Sequence, residues 1–206
     1  MSTLAISTLE WIVILFAVIV VMAVTTWVLN RRRSDVWSHV ANRYSLRYVP
    51  PPEGPLVIGD VEGRAVRMEY DEASSDRDLG GVENVRISVG LTGVPPGMTA
   101  EGVPGLLGDL AILAEERIEF DLPDFNRDVL VKAKDEQAAR AYWDEHRQRV
   151  FLDLMEAAPC DQVLICDGSL VAELRELVSD RERLQTLMSQ LLAKAPQLDR
   201  QKGGTV

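Results

Sequence analysis

Few residues in this chain have the types and spacing that chemistry demands. His39 and His146 are the two histidines of 206 residues. A metal ligand or general base needs partners within reach. His39 sits in DVWSHVANRY, away in sequence from any carboxylate cluster, and His146 falls on the apolar face expected of its helix, with Trp143 and Val150. A packed or partly exposed imidazole is the plain role for both. The run DEASSDRD offers Asp71, Glu72, Asp76 and Asp78 as oxygen ligands for Ca²⁺. Their spacing is not that of an EF-hand and no glycine marks the sharp turn, so a solvated acidic loop is the blander reading. Asp121 and Asp124, beside Phe125, form a candidate carboxylate pair, set against the ordinary use of Asp in turns. Cys160 and Cys166 are spaced C-x5-C, neither a zinc knuckle nor a redox pair, and Cys166 in VLIC reads as core packing. No phosphate-binding loop, dinucleotide fingerprint, H-E-x-x-H, nucleophile elbow or kinase motif is present. No catalytic residue, cofactor or metal is therefore assigned.

Charge narrows the partners. After position 30 there are 22 basic against 31 acidic residues, a net of −9. An acidic domain is poorly suited to a phosphate backbone, so nucleic acid is not expected as a partner. A basic or mixed-charge protein surface suits it better.

The elements that must position these residues follow from pattern. Residues 35–48 read as a short helix, capped by Ser34 or Asp35 and stopped by Pro50, Pro51 and Pro52; 30–35 is a candidate break, with a continuous helix as the alternative. LVIGD (56–60) and RAVRMEY (64–70) flank a turn at Gly63 and read as a hairpin. In the second run Val66, Met68 and Tyr70 alternate with Ala65, Arg67 and Glu69, a half-buried strand. Residues 71–84 read as a polar loop, 85–91 as a strand, and 92–105 as irregular. The pattern of 106–116 does not choose between helix and strand. RIEFD (117–121) and DVLVKA (128–133) read as strands joined by LPDFNR. Asp135 caps a helix through position 157 with Ala139, Trp143, His146, Val150 and Leu154 as its stripe. Asp167-Gly168, between two apolar runs, is a type I′ hairpin signal. A last helix, about 180–195, buries Leu184, Leu187, Met188, Leu191 and Leu192 and ends at Pro196. The fold class is α+β: a mostly antiparallel sheet with helices packed on one face.

The cadence IEFDLPDFNRDVLVKAKDEQAARAYWDEHRQRVFLDLMEA, then VLICDGSLVAEL and a final helix, resembles a bacterial family of single-pass, membrane-anchored α+β domains of unknown function. LVIGDVEGRAVRMEY is similar to that family's first hairpin. The resemblance covers 36–195, anchored at Gly59, Gly63, Phe125, Asp135, Asp167 and Gly168. It implies a fold type and a membrane setting, and transfers no activity.

The membrane setting also follows from the residues alone. WIVILFAVIVVMAVTTWVLN, 11–30, has no charged side chain. As a helix it is about 30 Å long, the thickness of bilayer hydrocarbon. Its twelve Ile, Leu, Val and Phe residues favour insertion by about 4–7 kcal/mol. Trp11 and Trp27, near opposite ends, stand where interfacial aromatics belong, and Arg31, Arg32 and Arg33 follow with no Lys or Arg before them. This charge bias places the C-terminal side in the cytoplasm. A cleaved signal peptide is disfavoured, because the apolar run is too long and no basic n-region precedes it. The arginines read as a stop-transfer signal, with lipid recognition a lesser alternative.

The expected organisation is a short extracytoplasmic N-terminus at 1–10, a transmembrane helix at 11–30, and a basic juxtamembrane segment and short helix at 31–50. An α+β cytoplasmic domain follows at 51–196, then a flexible tail at 197–206. The expected function is that of a single-pass protein of the inner membrane, non-enzymatic, binding an unknown protein partner as an interaction or scaffold module. A membrane-tethered, hydrolase-like enzyme with a carboxylate site is the alternative. Self-association through the span is a third reading, weakened because the apolar run has no Gly and few small residues.

Overall fold

The computed structural model describes residues 8–50, 55–71, 84–102, 117–174 and 180–199. Helix α1, Thr8–Arg43, is 36 residues long. No Gly or Pro interrupts it, so the candidate break at 30–35 does not form and the continuous helix is the one observed. It ends at Arg43, five residues short of the expected end at 48, at a Schellman turn. Ser45 takes φ 56°, the Leu46 N–H reaches Ala41 O at 2.8 Å, and the Ser45 N–H reaches Asn42 O at 3.3 Å. The turn sends the chain back as strand β1, so the segment expected as a juxtamembrane collar already belongs to the fold. Trp37, Val40 and Ala41 are fully buried in the core, and Trp37 stacks on Tyr70 with centroids 4.9 Å apart.

Eight strands form one sheet: β1 Arg47–Val49, β2 Leu56–Val61, β3 Arg64–Asp71, β4 Asn84–Gly90, β5 Thr99–Gly102, β6 Val129–Lys132, β7 Gln162–Cys166 and β8 Ser169–Leu174. Their order is β1-β2-β3-β4-β8-β7-β5-β6, every pair antiparallel. Both expected hairpins form. Glu62-Gly63 and Asp167-Gly168 all take positive φ, which matches the twist of the flanking strands, and Asp60 Oδ1 accepts from the Gly63 N–H at 2.7 Å. Register aligns Val57, Met68, Ile87, Ala172 and Val163 in one row across five strands. All five are buried. The adjacent row on the opposite face runs Ile58, Arg67, Ser88, Val171, Leu164 and Glu101. One apolar face and one mixed face is what period-two alternation dictates.

The helices cover the apolar face. They are α2 Pro123–Asp128, α3 Glu136–Tyr142, α4 Glu145–Ala157 and α5 Arg181–Leu198, together with the last part of α1. Three of them correct the sequence reading. LPDFNR is a helix rather than a plain turn, with Pro123 at its start and Asp124 in its first turn, both favourable there. The single helix expected from Asp135 is two: Asp144 breaks it by accepting from the Arg147 N–H at 2.9 Å, as the N-cap of α4. The break shifts the helical phase, so Arg147 and Gln148 turn inward and His146 faces solvent. Pro196 does not end α5, which continues to Leu198; a proline one turn from the end loses only one backbone bond.

Two strand readings also change. Within 92–105, expected to be irregular, Thr99–Gly102 is β5, seated between β6 and β7. Residues 117–121 form no strand; Ile118 N–H bonds Val131 O at 3.1 Å beside β6. The ambiguous segment 106–116 and most of the acidic loop, 72–83, lie outside the described residues, as does the tail from 200.

Candidate functional site

The chemistry-bearing residues are scattered. Asp121 is exposed, and Asp124 is engaged with Arg127 at 3.1 Å on the surface of α2, while Phe125, next to Asp124, is fully buried. Both carboxylates thus face solvent. His39 contacts Arg181 Nη2 through Nε2, and exposed His146 lies on another helix. Among the described residues no group of three or more His, Cys, Asp or Glu side chains could hold a metal ion. Asp71 ends β3, and Glu72, Asp76 and Asp78 lie outside the described residues. Cys160 and Cys166 are free thiols. Burial, with Asp161 adding to it, pushes the Cys160 thiol up to about 11. Burial also raises Cys166, outweighing the opposing pull of Arg86, whose Nη2 donates to Sγ at 3.2 Å. Neither is a thiolate nucleophile near neutrality.

A dense polar cluster among the described residues has no signature in the sequence. Arg147, with 8% of its side chain exposed, donates from Nη1 to Tyr142 O and to Asp144 Oδ2, both at 2.6 Å. Its Nη2 donates to Asp199 O at 3.1 Å. Tyr142 Oη donates to Leu198 O at 2.7 Å. Asp199 Oδ1 accepts from the Thr92 N–H at 2.7 Å, and Oδ2 is bonded by Arg64. One arginine and one tyrosine thus satisfy carbonyls that the ends of α3 and α5 leave without helical partners. Burial pushes the Asp199 carboxyl upward, but hydrogen bonds from Arg64 and Thr92, with the charge of Arg64, outweigh it and hold the group below its ordinary value. These donors are spent on backbone or on a neighbour, and the cluster is a clamp on α5.

The surface that calls for a partner is on α1. Trp11, Phe16, Met22 and Trp27 are 59%, 67%, 64% and 60% exposed, although contiguous apolar surface is rarely left to water. Arg31 Cζ lies 5.4 Å from the Trp27 ring centroid, a cation–π contact at the boundary between apolar run and basic collar. Arg31 and Arg32 are exposed. Among the described residues no helix is long and apolar enough to cross a membrane. The unbroken run with described side chains is 13–28, about 24 Å as helix and short of a full crossing. The hairpin turn Asp167-Gly168 joins β7 to β8 with positive φ at both residues.

The fold and its surface define a class: an all-antiparallel α+β domain built onto the C-terminal end of a long helix whose preceding turns expose apolar side chains. No family model matches the chain, and no curated protein matches it. Among solved structures, the crystal structure of the mycobacterial trehalose monomycolate transport factor A, TtfA, is similar, with a TM-score of 0.46 and 15% identity over 82% of this chain and 91% of that one. A likeness of that degree bears on neither the activity nor the partners of this chain.

Proposed function

We propose that the protein is a single-pass, membrane-anchored interaction module, in which 11–30 crosses the inner membrane, the arginine collar lies on the cytoplasmic side, and the α+β domain meets a protein partner there. It belongs, on this reading, with the bacterial family its hairpins resemble. The observation that carries the reading is the two-sided character of α1. One unbroken helix exposes large apolar side chains along its first half and buries Trp37, Val40 and Ala41 at 0–1% exposure in its last. A helix apolar on all sides needs a non-aqueous environment, and the sequence extends the run to twenty uncharged residues, 11–30. The interaction role is supported by the character of the polar cluster around Arg147, whose groups hold backbone rather than converge on a vacant position.

Alkaline carbonate extraction of host membranes tests the anchor: the full chain should stay in the pellet. A C-terminal reporter active only in the cytoplasm should be active. An intact chain released into the supernatant removes the anchor, and a stable but silent fusion reverses the topology. Crosslinking the tethered chain in its membrane should capture one reproducible protein species, and the absence of any such species would remove the interaction role.

A further inference from the structure

The way the domain hangs from α1 sorts its two ends. His39 contacts Arg181, and Tyr44 Oη donates to Gln185 O at 3.4 Å. Five residues along α1 are matched by four along α5, so these helices run side by side in the same direction. Tyr48 Oη donates to Ser34 Oγ at 3.0 Å, so β1 leads back toward the apolar part of α1. The start of α5 is level with the start of β7, because Arg183 Nε donates to Pro159 O at 2.8 Å. Its end is level with the start of β3 and the end of β4, through the bonds of Arg64 and Thr92 to Asp199. Antiparallel register then places the other strand ends. Val49, Leu56, Asn84, Gln162 and Leu174 share the near end. The turns Glu62-Gly63 and Asp167-Gly168 share the far end.

Because α1 does not break, this geometry is carried to the apolar run. From position 30 to Ser34, which Tyr48 beside the end of β1 bonds, is about 6 Å of helix, within a headgroup layer of about 5–8 Å, and His39 lies about 14 Å along. The far end of α5 lies about 24 Å beyond its start. We propose that the near end of the domain is an interface with the lipid headgroups, and that the far end, with both type I′ turns, projects into the aqueous phase. This rests on the reading of 11–30 as a membrane span. The tether, not affinity, holds the near end there. Exposed Asp161 and Asp180 stand there beside exposed Arg181, which leaves no net basic patch to draw anionic lipid, so apposition depends on the rigidity of α1.

The test places nitroxide labels on the full chain in nanodiscs, with Cys160→Ser and Cys166→Ser as background and a nickel-chelating lipid as surface relaxant. Glu182→Cys and Gln197→Cys put labels on exposed positions near the two ends of α5. Relaxation enhancement at position 182 should exceed that at 197 at least fivefold, and Asp161→Cys should exceed Ala65→Cys in the same sense. Inserting Pro-Gly-Gly-Ser after position 33 should collapse both ratios toward one. Equal or reversed enhancement in a chain that floats with vesicles overturns the orientation and leaves the anchor standing. A chain that does not float overturns the anchor and the orientation with it.

Discussion

Asp199 is a single side chain on which the end of α5, the turn after β4 and the start of β3 converge. Its carboxyl is held below the ordinary value in the folded chain, so it contributes stability above its unfolded value, near 3.8. That contribution is lost as pH falls from there through the depressed folded value. Asp199→Asn should therefore lower the urea-unfolding free energy of the full chain in detergent at pH 7 by about 1–2 kcal/mol. The gap from the unmodified chain should narrow on going to pH 3, below the unfolded value near 3.8, where the unfolded carboxyl takes up its proton. A gap that stays constant over that range would mean the charge does not matter. At this scale the sequence was legible where a residue's role is local. Asp167-Gly168 specifies a turn by its own backbone preferences, and Asp135 caps α3 by accepting from the Ala138 N–H at 2.9 Å. Arg147 was not legible, because its burial depends on carbonyls of Tyr142 and Asp199 that come from two other places in the chain.

Among the elements, the break between α3 and α4 shows why a face can be misassigned while its helix is found. The stripe read from Asp135 assumes one continuous phase. Trp143 leaves the helical region at ψ 70°, and Asp144 restarts it as a new N-cap. Both Asp144 and Glu145 were available in the sequence as start signals, but they sat inside an otherwise good periodic run. Asp144→Ala should cost about 1–2 kcal/mol, in the range measured for N-caps. Asp144→Asn, which keeps a cap acceptor but not the charge facing Arg147, should cost less than half of that. The ordering follows because Asp144 is half exposed at 53%, where an ion pair adds little. Equal loss in both variants would show that the ion pair, not the cap, sets the break. Strand β5 escaped for a different reason. TAEG carries one apolar alternation at most, and its place is fixed by β6 and β7 on either side. Gly102 there lies so close to Met155 that an added Cβ would meet Sδ at 2.8 Å, a constraint invisible without the partner helix.

For the whole molecule, the expectation of a domain starting at 51 placed the boundary at the triple proline, a strong local punctuation. The core ignores it. Trp37, Val40, Ala41 and Leu46 belong to the main hydrophobic cluster, and β1 edges the sheet on the far side of that boundary. The folded unit therefore begins before position 51, and the helix that carries the apolar run also supplies part of the core. Two truncations separate these roles. A chain of 34–206 keeps every one of those core residues and loses 11–30; it should remain in the supernatant after carbonate treatment and melt in one cooperative step. A chain of 51–206 loses Trp37, whose removal from a core alone costs about 3–5 kcal/mol, along with Val40, Ala41, Leu46 and the pairing of β1 with β2. That loss rivals the whole stability of an ordinary domain, so no cooperative transition should be seen. If 51–206 melts like 34–206, α1 is only a tether resting on a complete fold. If 34–206 still resists carbonate, the membrane contact lies in the domain and not in the apolar run.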